Sequence, residues 1–182
     1  MNITIFCSSK DVGGDFATHA QEFAMKLAER KHNLVFGASN TGLMKVISET
    51  AHHHGATVTG VTIAAFEKVT RPNLDKLIVA RSLVERKDEL LDRGDAIAML
   101  VGGTGTLDEI TDMIELKKIG VHQKPMVIVN FNNYYQGLLE QLQCMKAQGF
   151  LEWELSELVY FAKTADEALD YLEEKAQTKL PD

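Results

Sequence analysis

Seven short apolar runs alternate with stretches of helical periodicity, and this alternation narrows the possible folds more than any other feature. The runs are Ile3 to Phe6, Leu34 to Phe36, Val58 to Thr62, Leu77 to Val79, Ala96 to Val101, Met126 to Val129 and Val159 to Phe161. Each is short and apolar enough to be a buried strand. Helices are expected between them near 15–31, 42–54, 82–93, 106–118, 134–148 and 165–175. Their apolar residues recur three and four apart, as in Leu107, Ile110, Met113 and Ile114, or Leu138, Leu139, Leu142 and Met145. The expectation is an α/β fold, a doubly wound and mostly parallel sheet of seven strands with helices on both faces. Such sheets bind ligands beyond the carboxyl ends of their strands, so chemistry is sought in the segments that follow strands.

The chain has 182 residues, 45% of them hydrophobic, which suits one core and a single nucleotide-binding α/β domain over 1–182. No repeat or Pro/Ser-rich linker interrupts the pattern. Its net charge of −7 gives no overall attraction for nucleic acid or anionic lipid, so a small anion would need a local pocket of positive potential. Cys7 and Cys144 do not make a disulfide framework and fit a reducing cytoplasm. No apolar run approaches the roughly 20 residues of a spanning helix and no basic leader precedes the first strand, so neither membrane nor targeting is expected. One long irregular segment, Ile63 to Lys76, reads equally as a flap over a site or as a plain connection.

The strand expected at Ala96 to Val101 runs into Gly102-Gly103-Thr104-Gly105-Thr106 and then into a helix. Three glycines within four positions let backbone N–H groups face an anion with no Cβ in the way, and the helix N-terminus adds partial positive charge. Phosphate is the natural guest. A dinucleotide fingerprint counted from Gly103 would need glycine where Asp108 stands, and a P-loop would need a lysine that is absent, so NAD binding and ATP hydrolysis both lose ground.

Glu109 follows Thr106 at capping-box spacing, which alone would make it a helix-end residue, as at Ser82/Glu85 and Thr164/Glu167. Its place one turn beyond the glycines also puts a carboxylate within reach of a sugar. Glu85-Arg86-Lys87 is either a solvated charge run or a guanidinium and a lysine for phosphate. Cys7-Ser8-Ser9-Lys10 and Gly37 to Met44 follow earlier strands and offer hydroxyls, as turns also do. His52-His53-His54 is not a metal tract, because consecutive helical side chains diverge by about 100°.

Taken in order, Gly42-Leu43-Met44, Glu85-Arg86-Lys87 and Gly102-Gly103-Thr104-Gly105-Thr106 with Glu109 resemble the Lonely Guy (LOG) family, cytokinin riboside 5′-monophosphate phosphoribohydrolases and their bacterial relatives. Gly120 to Pro125 and Tyr134-Tyr135 extend the resemblance over nearly the whole chain. It implies a modified Rossmann fold, a homodimer, and release of free base and ribose 5-phosphate from a nucleoside 5′-monophosphate such as AMP or an N6-substituted AMP. Arg86 and Glu109 would be catalytic; Ser8, Ser9, Gly42, Lys87, Gly102, Gly103, Thr104, Gly105, Thr106 and Asp108 would hold substrate; no cofactor or metal is implied. The chain departs from the family pattern at Val101, Leu83-Val84, Ala38, Ser39 and Lys45, which bears on the base preferred. Molybdenum-cofactor carrier proteins share this kind of fold and loop, so a non-catalytic carrier is the alternative. Nothing marks a pyridoxal-phosphate lysine, so lysine decarboxylase, a name sometimes given to such sequences, has no support.

Overall fold

The structure, a computed structural model, describes residues 1–12 and 14–178. Its strands are β1 (Asn2–Phe6), β2 (Asn33–Phe36), β3 (Val58–Ile63), β4 (Lys76–Ala80), β5 (Ala96–Met99), β6 (Met126–Val129) and β7 (Tyr160–Ala162). They form one seven-stranded sheet in the order β4-β3-β2-β1-β5-β6-β7, and every pairing is parallel. The helices are α1 (Gly14–Glu29), α2 (Gly42–His53), α3 (Leu83–Arg93), α4 (Thr104–Lys118), α5 (Gln136–Ala147), α6 (Leu155–Leu158) and α7 (Ala165–Gln177). The doubly wound α/β fold expected from the sequence is therefore present.

The pleat divides the strands between two cores, with edge strand β4 contributing Ile78 to one of them. Ile3, Ile5, Leu34, Phe36, Ala98 and Val127 face α1, α2 and α7, through Phe23, Leu27, Ile47, Leu169 and Leu172. Phe6, Val35, Val61, Ile97, Met99 and Ile128 face the other way, onto α3 to α6 through Leu90, Ile110, Met113, Leu142 and Leu158. With both faces covered from β3 to β7, those strands read as continuous apolar runs, whereas edge strand β4 leaves Leu77 and Val79 exposed.

Winding reverses at β1. The chain first moves outward through β2, β3 and β4, then α3 carries it back beneath those strands to β5 on the other side of β1. The segments leaving β1 and β5 therefore diverge and open a crevice at the carboxyl edge, the usual ligand position in such sheets.

Element ends differ from expectation in physically traceable ways. β5 stops at Met99 because the next carbonyls turn to other donors: Tyr135 Oη donates to Leu100 O at 2.9 Å and Ser8 N to Val101 O at 3.0 Å. The following helix starts at Thr104, two residues before expectation. A 3-10 turn at Phe131–Asn133 delays α5, and the single turn of α6 was not expected. The segment between β3 and β4 combines both readings offered for it. A 3-10 turn at Ala64–Val69 lies at the carboxyl edge, pinned by Asn40 N to Val69 O (2.7 Å) and Arg71 N to Ala38 O (2.8 Å). The remainder returns along the sheet, its Leu74 seated where Gly60 lacks a Cβ.

Gly42 opens α2 with φ +59°, and a Cβ there would overlap the backbone of Ser9 and Lys10. Left-handed strain of about 1–2 kcal/mol and overpacking of similar size make Gly42→Ala destabilising by about 3 kcal/mol, measured by urea unfolding. An unchanged midpoint would contradict the packing described.

Candidate active site

The crevice beyond β1 and β5 is a cleft of ≈400 Å³ with a neighbouring lobe of ≈280 Å³. The two share Ser9, Lys10, Met44, Phe66 and Arg86 as lining residues, so they are two lobes of one depression divided by those side chains. Together they reach the size a small-molecule site needs, roughly 300–1,000 Å³ for typical pockets.

One wall is the start of α4. Its N-cap is Gly103, no side chain caps it, and its first turn carries no acidic residue. The first internal bond to close the helix is Leu107 N to Gly103 O (3.0 Å), which leaves the amides of Thr104, Gly105 and Thr106 as donors facing outward. By contrast, α3 and α7 are capped by Ser82 and Thr164, which accept from Glu85 N and Glu167 N at 3.1 and 3.2 Å. Gly103 and Gly105 have open space where a Cβ would stand, so packing does not require glycine at either position. Gly102 is different: a Cβ there would overlap Thr106 Oγ1, and this glycine lies beneath the first turn rather than in the cleft wall. Tyr134 Oη donates to Gly102 O at 2.9 Å, beside the Tyr135 bond to Leu100 O, so two phenols hold the loop's carbonyls away from the cleft.

The cleft floor holds Arg86 and Glu109, each buried and joined by a bond of 2.9 Å from Nη1 to Oε1. The Arg86 side chain leaves the α3 surface, and Nε donates to Val61 O (3.0 Å), inside β3, and Nη2 to Gly37 O (3.3 Å), just past the end of β2. A Cβ on Gly37 would overlap the guanidinium. Three of the five guanidinium N–H groups are thus used, leaving two for a ligand. The capping reading of Glu109 is overturned, because Gly103 is the N-cap and Glu109 lies in the second turn, turned inward. Burial pushes its carboxyl up from the ordinary range, and Arg86 only partly reverses that. Cys7 lies on the same floor, its thiol pushed up first by burial and then by the charge of Glu109.

Of the other residues singled out in the sequence, Ser9, Lys87, Thr104, Thr106 and Asp108 line the cleft. Lys87 Nζ lies 2.9 Å from Asp112 and 3.4 Å from Asp108, and the Asp112 contact holds its ammonium more firmly protonated than usual. Ser8 lines the cleft but its hydroxyl is engaged by Lys10 N at 2.9 Å. Gly42 stands behind the wall, its amide on Asp11 at 3.1 Å. Phe66 and Lys10 were not singled out as site residues. Lys10 belonged to a loop already read as facing the site, whereas Phe66 lay in an irregular segment with no periodicity to aim it. Ala38, one of the departures from the family pattern, takes φ +60°, a left-handed conformation that glycine adopts freely and alanine meets at a cost of about 1 kcal/mol.

Residues 44–172 match a protein-family model described as possible lysine decarboxylase. The chain is 33% identical over 177 residues to a probable cytokinin riboside 5′-monophosphate phosphoribohydrolase, LOG4, of Oryza sativa subsp. japonica, covering 96% of this chain and 77% of the rice protein. It is 30% identical over 175 residues to cytokinin riboside 5′-monophosphate phosphoribohydrolase LOG7 of Arabidopsis thaliana, covering 94% and 81%. Among solved structures, a molybdenum cofactor binding protein from Rippkaea orientalis superposes with a TM-score of 0.74 at 17% identity, over 96% of both chains. The molybdenum cofactor carrier protein of Chlamydomonas reinhardtii gives 0.74 at 18%, over 98% of both. At such identities these two structures report on the fold.

The Glu109 carboxyl is expected to titrate above the ordinary value of 4.5 in a 13C NMR experiment, and Arg86→Gln should move it further up. Because its folded pKa is raised, protonated Glu109 favours folding and that contribution fades as pH rises through the folded pKa. Glu109→Gln should therefore gain stability relative to the parent as pH increases from the ordinary carboxylate range to neutrality. A relative loss over that window would contradict a raised pKa in the folded protein.

Proposed function

We propose for this chain, which belongs to the LOG family, hydrolysis of the N-glycosidic bond of a nucleoside 5′-monophosphate, AMP or an N6-substituted AMP, to free base and ribose 5-phosphate. The observation that carries the reading is the buried Arg86–Glu109 pair set beside the uncapped first turn of α4. Named relatives at 30–33% identity over nearly the whole chain support a hydrolase of this kind.

The chemistry follows from the groups present. The 5′-phosphate sits against the amides of Thr104 to Thr106, where the helix dipole favours negative charge. That remote anchor positions the anomeric carbon near the cleft floor. As the C–N bond breaks, positive charge develops on the sugar, and the Glu109 carboxylate opposes it, orients the attacking water or receives its proton. Burial raises the Glu109 pKa, which brings a general base nearer its working pH. The two spare N–H groups of Arg86 then serve the leaving base or the phosphate.

The active form is proposed to be a cytoplasmic homodimer. Leu83 and Val84, at the start of α3, are 54% and 67% exposed, and Leu83 also lines the cleft, so a second copy would cover apolar surface at the rim. Among the described residues no helix is long and apolar enough to cross a membrane.

Purified protein incubated with AMP and with N6-substituted AMP should release free base, followed by chromatography, and Glu109→Gln should slow release about 100-fold or more. Release no greater than in Glu109→Gln would end the hydrolase reading. Ligand binding that survives Glu109→Gln with no turnover would point instead to a carrier. Solution scattering at micromolar concentration should give twice the chain mass, and a monomer mass would count against the dimer.

A further inference from the structure

We infer that Lys10 is the residue that grips the 5′-phosphate from the wall opposite α4. The inference rests on the nucleotide reading and adds to it a residue outside the set singled out above. Most charges in the cleft are already spoken for. Three cations line the main lobe, Lys10, Arg86 and Lys87, against the two carboxylates Asp108 and Glu109. Arg86 is bound to Glu109 and to the carbonyls of Val61 and Gly37, and Lys87 to Asp112 and Asp108. Lys10 is the lining cation whose ammonium has no carboxylate within 4.0 Å among the described residues. Asp112, which pairs Lys87, brings the carboxylates to three against these three cations, so without Lys10 the site carries one excess negative charge, in a chain whose net charge is −7. A dianionic ligand therefore depends on Lys10 to offset that repulsion.

The backbone under Lys10 is built to hold it there. Ser8 N donates to Val101 O (3.0 Å), Met44 N to Ser8 O (3.2 Å), Thr41 Oγ1 to Ser9 O (2.8 Å) and Gly42 N to Asp11 Oδ1 (3.1 Å). Lys10 N itself donates to Ser8 Oγ (2.9 Å), and the Ser9–Lys10 peptide lies flush on Gly42. A loop tied to α2 and to the end of β5 thus presents an exposed side chain, with no carboxylate partner among the described residues, at the seam of both lobes. The phosphate would be held between two arms that the winding reversal sets apart: the α4 amides after β5, and Lys10 after β1. One arm offers dipoles and the other a full charge.

The test uses ligands that separate phosphate from base. By calorimetry, Lys10→Ala should weaken ribose 5-phosphate and AMP about tenfold, the loss of one charge-assisted contact, while adenosine binding stays within about twofold. Lys10→Arg should retain most of the affinity, Lys10→Glu should lose about 100-fold, and the salt dependence of AMP binding should flatten in Lys10→Ala. A thermal melt checks that the exposed substitution leaves the fold intact. Equal ribose 5-phosphate affinity in the parent and Lys10→Ala, equal weakening of ribose 5-phosphate and adenosine, or no ribose 5-phosphate binding by the parent would each overturn the assignment. A parent that hydrolyses AMP while Lys10→Ala keeps its phosphate affinity sinks this inference alone. A parent that releases no base but loses phosphate affinity on Lys10→Ala sinks the hydrolase reading and leaves Lys10 in place.

Discussion

A parallel sheet must have both faces covered, and α1 and α2 can cover only one face while the chain moves outward from β1. Reversing the winding at β1 meets that demand: the return through α3 covers the second face and places β5 beside β1. Two consequences follow together. The segments after β1 and β5 part to form a cleft, and α3 passes under β2 and β3, so Arg86 can reach Gly37 O and Val61 O. The site is a by-product of closing the core, not an addition to it.

Electrostatics then divides the cleft into groups that are satisfied and groups that are not. Burying a guanidinium is costly unless its donors find partners, and Arg86 gives three of its five N–H groups to one carboxylate and two carbonyls. Glu109 is less well served: burial outweighs the pull of Arg86, and the carboxyl is held in an environment that favours its neutral form. The α4 amides are likewise left without a side-chain cap, as at α2 and α5, whereas Ser82 and Thr164 cap α3 and α7. Donors left open and a carboxylate left poorly solvated cost stability locally.

The fold was legible because buried parallel strands leave unbroken apolar runs and helices leave a three-to-four spacing. Ile97 to Met99 and Leu107 to Ile114 needed no tertiary information to be placed in elements of the right kind. Element ends were less legible, since they depend on distant partners: β5 ends where Tyr135 and Ser8 take its carbonyls, 35 and 93 residues away in sequence. The short α6 has too little periodicity to announce itself, and the 63–76 segment none. In the site, the glycine loop could be read from its own composition, whereas Glu109 could not be told from a capping residue and Phe66 could not be aimed at all.

Local spacing and residue type were enough to establish the class of fold, the position of the glycine loop after a buried strand, and the ordered motifs that identify the family. Only folding in three dimensions turned Glu109 inward to Arg86, packed Gly102 while Gly103 and Gly105 stand open, and ion-paired Lys87 but left Lys10 without a carboxylate partner among the described residues. Those outcomes depend on which side chains meet across the cleft. Charge pairing and burial are properties of neighbours in space, and no spacing along the chain encodes them.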